Sequence, residues 1–387
     1  MTTDHAATRK DPWTLFVAVG FGSFVGVLCA NAVPLLIGAL ADGLNFTEVQ
    51  GGMLGTIEMA ALSVTAILVS PWMARVSRAQ VAIVGGLVAA CAQFLSMEFQ
   101  AFDMLVGLRL LVGVALGICF AAATAAVAGA RNPDRVYGVA IGCSLLALGL
   151  LFYPVLGKAI ASYEQRGAYF VLGIIVLIGT ASFKWLGTTT TVQRIRATRH
   201  VIPVKAVVVL FTVIALFNLG MSSIWSFTER IGTDKGLAPQ DLALYLGFTS
   251  FVGIGASLLA GWLGPRYGRS VPTAIALLIG GVSALAIANV WNVVTFIIAL
   301  VLYWIAYMFL YPFLLSIAVA LDPGGRVAAA AAGVNQLVFS LGPTLGGFIA
   351  ASGSYQMIGI FGALACGAGA LLALMLDRIL DAISQTA

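Results

Sequence analysis

Glu58, Arg109 and Lys158 interrupt the apolar stretches of this chain, and each needs a physical account. Glu58 stands alone in "MLGTIEMAALSV" (53–64), within an apolar run from about Val49 to Trp72. A carboxylate there is costly unless it is paired, protonated or hydrated, so Glu58 serves either as a protonatable switch or as a buried tie between helices. Its helix face also carries Gly51, Gly55, Leu62 and Thr65, and small residues mark a face packed on protein rather than lipid. A guanidinium is effectively always charged, so Arg109 requires a partner or a water-filled cavity; its chemistry is charge coupling or anion binding. At 1.5 Å per residue, Glu58 lies roughly 14 Å and Arg109 roughly 9 Å below the same surface, within reach if their helices are neighbours. Lys158 sits near the end of its run, where a long side chain snorkels to the interface. Tyr303, Tyr307 and Tyr311 recur at i, i+4 and i+8 with Trp304 alongside, and hydroxyls in hydrocarbon must face protein or water.

The elements that position these residues are membrane helices. The 387 residues are 61% hydrophobic and 9% charged, with mean hydropathy +1.04, whereas soluble domains carry about 25% charge. Apolar stretches long enough to cross roughly 30 Å of hydrocarbon as helices recur along the chain. They predict twelve spans, at about 13–40, 49–72, 79–98, 103–129, 136–160, 168–186, 204–229, 241–263, 271–289, 293–320, 327–351 and 356–376. The fold class is thus an all-α integral membrane protein. A tail at 1–12, a basic linker at 187–203 and a tail at 377–387 flank two groups of six spans, 13–186 and 204–376. The first apolar stretch is too long for a secretory signal and reads as retained.

Positive charge sets the orientation. With the N-terminus inside, the cytoplasmic side receives Arg9, Lys10, Arg75, Arg78, Arg131, Arg135, Lys184, Arg194, Arg196, Arg199, Lys205, Arg266, Arg269, Arg326 and Arg378. The opposite side receives Arg166, Arg230 and Lys235. This asymmetry places both termini in the cytoplasm of a cell (inner or plasma) membrane, and it makes the pI near 9.0 a matter of topology that implies no nucleic-acid partner. Glu98, Asp103 and Glu229 fall at span ends, where rim solvation or helix capping accounts for them. Cys29, Cys91, Cys119, Cys143 and Cys366 all fall within spans and His5 and His200 in cytoplasmic segments, so the sequence calls for no disulfide, metal or cofactor. Thr47 before Glu48 reads as a helix N-terminus rather than a glycosylation acceptor.

The chain repeats itself. "SPWMARVSR" (70–78) is answered by "GWLGPRYGR" (261–269) at an offset of 191 residues, and "YPVLGKAIA" (153–161) by "GPTLGGFIA" (342–350) at 189. Between them "NPDR" (132–135) is answered by "DPGGR" (322–326). Two six-helix halves around a midplane site are a common build of secondary transporters. With these loops the chain resembles the major facilitator superfamily over essentially its whole length. The family's loop signature, Gly-x-Leu-x-Asp-Arg-x-Gly-Arg, keeps Gly261, Leu263, Arg266, Gly268 and Arg269 in the second copy, with Pro265 at the Asp position. The first copy keeps Arg75 and Arg78, with Ser70, Ala74 and Ser77 at the Gly, Asp and Gly positions. The family's fourth-span pattern of Arg followed by spaced glycines appears as Arg109, Gly113 and Gly117. Its antiporter-associated Gly-Pro-x-x-Gly-Gly pattern lies here in the eleventh span, not the fifth.

The resemblance implies two pseudo-symmetric bundles and a cavity lined by the first, fourth, seventh and tenth spans. On that reading the substrate-facing residues are Asn31, Arg109, Asn218, Ser222, Trp225, Tyr303, Tyr307 and Tyr311, with Asn335 and Gln336 added from the eleventh span and Ser23 a further polar candidate. From their own chemistry, apart from the resemblance, Glu58 and Arg109 are expected to carry proton coupling. The two histidines cannot build His-Glu-x-x-His, and no nucleophile elbow or phosphate-binding Gly-x-x-x-x-Gly-Lys motif occurs, which argues against a membrane enzyme or an ATP-driven pump. The expected function is secondary active transport by a monomer, coupled to protons. Arg109 and Lys158 lean the substrate towards an organic anion and the tyrosine stripe towards an amphipathic or aromatic one; proton-coupled efflux of hydrophobic compounds is the alternative.

Overall fold

The computed structural model describes residues 11–128, 130, 132–187, 203–264, 266, 268–289, 292–322 and 325–386. Linker residues 188–202, most of the N-terminal tail, Pro265 and both histidines lie outside the described residues. Most of the described residues are helical: α1 (Trp13–Leu44), α2 (Glu48–Val69), α3 (Arg78–Leu95), α4 (Phe102–Ala128), α5 (Pro133–Ala147), α6 (Tyr153–Ser182), α7 (Val204–Ser226), the short α8 (Thr228–Asp234), α9 (Pro239–Leu263), α10 (Ser270–Asn289), α11 (Val293–Leu321), α12 (Arg326–Ser352) and α13 (Tyr355–Thr386).

Two details reconcile these helices with twelve crossings. A π-helical turn at Leu148–Phe152 joins α5 to α6, making one apolar segment from Arg135 to Trp185. Its 51 residues are far too long for one crossing at 1.5 Å per residue. Glu164, at φ 52° and ψ −136°, is the point where the chain turns back. The arm before it packs on α9 through Gly157 and Ala243, and the arm after it packs on α3 through Gly173 and Phe94. The seventh span differs from the sequence reading: it stops at Ser226, and Phe227 (φ −106°, ψ 9°) redirects the chain into the short α8. The last apolar span ends at Leu376, although helix continues to Thr386.

Local chemistry sets several ends. Thr47 caps α2: its hydroxyl accepts from the Gln50 amide while the Gln50 side chain accepts from the Thr47 amide. The two loop motifs make equivalent anchors. Arg78 donates to the Ala125 carbonyl at 2.8 Å, and Arg269 donates to the Ser316 hydroxyl at 2.9 Å, both across 47 residues. Subtracting 78 from 269 and 125 from 316 gives 191 each time, the offset of the loop repeat. Arg266 lies over the Trp262 ring at 5.4 Å, Gly268 takes φ 75°, and Arg75 and Gly261 are exposed.

The halves meet along two seams. In one, Gly52 and Gly55 of α2 admit Pro343 of α12, and Gly347 admits the backbone of Glu48 and Val49. In the other, Gly149 in the π turn and Gly247 of α9 each leave room for the other's backbone. Glycines here let helix backbones approach closely, which is how packing holds helices together in lipid. The described hydrogen bonds that cross between halves all use residues between Ala30 and Thr56 of the first half. The bundle is therefore closed at the end where α1 stops and α2 begins.

Candidate functional site

Arg109 and Glu58 come together inside the first half because α4 can approach α2. A Cβ at Gly113 would strike the Glu58 carbonyl and lie 2.7 Å from the Ala61 methyl; one at Gly117 would lie 2.6 Å from the Leu62 carbonyl. Only glycine, at one-turn spacing after Arg109, permits this contact. Arg109 Nη1 then sits 2.8 Å from Glu58 Oε2, with both side chains buried. Nη1 also donates to Gln93 Oε1 at 3.0 Å and Nη2 to the Ser96 hydroxyl at 2.6 Å, while the Tyr169 ring lies 4.6 Å from the guanidinium carbon. Sequence reading placed the pair but missed Gln93, Ser96 and Tyr169. Gln93, an amide far from the polar first turn of an apolar helix, was the available signal.

The second half builds an aromatic stack. The Trp225 and Trp304 rings lie 4.9 Å apart at 25°, Trp304 and Tyr307 5.7 Å apart at 11°, and Tyr307 and Phe217 5.2 Å apart at 28°. Tyr303 flanks Trp225 at 6.0 Å and donates its hydroxyl to the Met221 carbonyl. The tyrosine stripe changes environment along its length: Tyr303 is buried, while Tyr307 and Tyr311, towards the other end of the bundle, are half-buried. Trp225 Nε1 donates 2.9 Å to the Ala30 carbonyl of α1, so this stack touches the opposite half.

The polar candidates divide between packing and the stack. Asn218 donates to Asn335 Oδ1 at 2.9 Å and to the Ile214 carbonyl, tying α7 to α12. The Ser222 hydroxyl is committed to the Phe339 carbonyl at 2.6 Å, where Gly342 leaves it space. Asn31 is held by the Tyr153 hydroxyl at 3.0 Å and by Val27, and Ser23 is buried nearby on α1. Gln336 is half-buried, and Lys158 is exposed. Arg109 does not join the aromatic stack: it is 0% exposed inside the first half.

Glu229 requires a correction. The sequence reading accounted for it by rim solvation or helix capping; it does lie in the first turn of a helix, α8, but the structure buries it, with Glu229 Oε2 3.4 Å from Arg230 Nε and Oε1 accepting from Thr233. The break at Phe227 is the reason, since it turns α8 onto α1.

The comparisons with known proteins agree with this architecture. The bacterial homologue of the human lysosomal transporter Spinster, in an inward-facing and unoccupied conformation, matches with TM-score 0.68 at 13% identity over 98% of each chain. A peptide transporter (POT) in complex with sulfate matches with TM-score 0.73 at 15% identity over 96% of this chain and 94% of that one. A point mutant of the nucleoside transporter NupG matches with TM-score 0.71 at 12% identity over 94% of this chain and 99% of that one. No curated protein sequence matches. At these identities the likeness concerns the fold. The family model of the Major Facilitator Superfamily matches residues 19–342, and the chain belongs to that family of twelve-helix, two-bundle membrane proteins.

Proposed function

We propose that this protein is a proton-coupled secondary transporter that moves a small amphipathic or aromatic organic molecule by alternating access, with both termini in the cytoplasm. The aromatic stack of Trp225, Trp304, Tyr307 and Phe217 carries this reading. It combines broad π faces with a few hydrogen-bonding groups, as small-molecule sites do, and it lies where the second half touches α1. On the proposed orientation the closed end is the outer one, and the half-buried end of the tyrosine stripe faces inwards.

Glu58 and Arg109 supply the coupling in this scheme. While ionised, Glu58 neutralises Arg109; once protonated, it leaves a buried cation uncompensated. That cation attracts an anion to the interior, so proton and organic anion would enter the cycle together. The second reading is proton-coupled efflux of hydrophobic compounds. It is favoured by the stack itself, whose rings present π faces without a charged side chain among them, a surface that also suits aromatic cations. Proteoliposomes with an imposed pH gradient, screened across aromatic acids and cationic dyes, distinguish the two. Accumulation of an acid down the proton gradient supports the first, and dye extrusion the second. Failure of any compound to move with the gradient would refute proton coupling.

A further inference from the structure

The break after the seventh span creates a buried acid that the coupling pair does not use. Phe227 directs α8 against α1, and the Glu229 carboxyl packs on Gly38, where any Cβ would collide with it. The side chain is 2% exposed. The Thr233 hydroxyl, 3.1 Å from Oε1, divides its one proton between that atom and the Glu229 carbonyl at 3.0 Å. Oε2 has no hydrogen-bond partner, because Arg230 Nε, although 3.4 Å away, is not directed at it. Arg230 instead uses Nη2 to bind the Gly38 carbonyl and Asp42 Oδ1 of the opposite half.

Arg230 and Asp234 share its own helix, and Asp42 faces it from α1. Tyr355 of α13 lies beyond Arg230 and donates to Glu48 of α2. Towards α9 and α11 the neighbouring side of α8 meets Leu242 and Phe296, which are apolar. The donor nearest Oε2 is thus Arg230 Nε, 3.4 Å away and misaligned, and no hydrogen bond forms there. Burial penalises the ionised form more than the neutral one, and the Arg230 guanidinium beside it offsets only part of that penalty.

We propose that Glu229 is a second proton-binding site, one that binds its proton on the outer side and thereby stabilises closure of the outer face. The inference rests on the alternating-access reading. Separation of α1 from α8 would expose Glu229 to water and return it to ordinary carboxyl behaviour; closure buries it against Gly38. The closed state thus binds the proton more tightly than the open one, and by linkage proton binding favours closure. Glu229 lies beyond Ser226, the last residue of the seventh span, and burial pushes its carboxyl up to about 7 in the closed state, Arg230 and Thr233 opposing and Asp42 and Asp234 adding to the rise. The sign follows. Between about pH 7 and the ordinary carboxyl range near 4.5, falling pH shifts the population towards the closed outer face. In that window the closed-to-open ratio changes by up to roughly tenfold per pH unit.

The test reads the outer face directly. Ala101 and Ser354 are exposed, one in each half, beside helix ends at the closed face. Spin labels at Ala101→Cys and Ser354→Cys, with the exposed Cys91 and Cys143 changed to Ala, report the separation of the halves in lipid nanodiscs between pH 5 and 8. Wild type should gain the short distance as pH falls from 7, and Glu229→Gln should hold it at every pH. Retention of the wild-type slope by Glu229→Gln, or its loss in Glu58→Gln alone, overturns the proposal and leaves alternating access standing. A single distance at all pH values in the wild-type background, unchanged by any transported compound, overturns both. If Glu229→Gln does not fold, Asp42→Asn serves instead: loss of that neighbouring charge should move the wild-type midpoint to lower pH, and an unmoved midpoint overturns the proposal.

Discussion

Replacing Glu58 by Gln keeps the size of the side chain and removes its charge, which makes it the sharpest probe of the buried pair. Arg109 is wholly buried, and the carboxylate is its one anionic partner among the described groups, at 2.8 Å. Removing one member of a buried ion pair ordinarily costs about 3–5 kcal/mol, because the other charge is left without compensation. Here Gln93, Ser96 and the Tyr169 face remain, and the carbonyl of the substituted amide can still accept from Nη1. The expected loss for Glu58→Gln is therefore smaller, about 1–3 kcal/mol, and that for Glu58→Ala the full range. Removing both charges relieves the desolvation of each, so Glu58→Leu with Arg109→Met should be more stable than either single change alone. Thermal unfolding of purified protein in detergent measures this cycle. In parallel, Glu58→Gln should abolish accumulation driven by a pH gradient while substrate binding survives. Arg109→Lys, which keeps the charge and loses the two-pronged guanidinium contact, should also transport poorly. The reasoning fails if Glu58→Gln accumulates substrate with wild-type pH dependence, for the carboxylate is then purely structural. It fails energetically if the two single changes simply add.

Gly113→Ala puts a methyl group against the Glu58 backbone and should destabilise by about 1–3 kcal/mol, whereas Gly107→Ala, with nothing within 4 Å, should be silent; equal melting temperatures would deny the close α2–α4 contact. Tyr307→Phe and Trp225→Ala should weaken substrate binding in protein that still folds, the lost hydroxyl by on the order of 1 kcal/mol if it bonds substrate. Unchanged affinity in both would return these residues to packing. Cysteine labelling from either side of the membrane should place both termini and the 187–203 linker in the cytoplasm, and labelling of the linker from outside would reverse the orientation and with it the side from which Glu229 is loaded.

Composition and periodicity determined that this chain crosses a membrane many times, because hydrocarbon admits only helices whose backbone groups are satisfied internally. They also singled out Glu58 and Arg109, since a charge in an apolar run is legible without any coordinates. The repeat was legible too: the 191-residue offset read from two loops reappears in the contacts of Arg78 and Arg269. Tertiary structure decided what each polar residue faces. Helical periodicity put Asn218, Ser222 and Trp225 on one side of a helix, but not which neighbour that side would meet. Asn218 Nδ2 and the Ser222 hydroxyl bind α12, Asn218 Oδ1 keeps no partner, and Trp225 meets α1 and the aromatic stack. Glu229 shows the limit most directly. Hydropathy ended the seventh span at it, where rim solvation or helix capping would account for the charge, whereas one non-helical residue, Phe227, turns the next helix and buries the acid against Gly38. Hydropathy sums over a window of residues; burial depends on a single backbone turn and on a glycine 191 positions away in the chain.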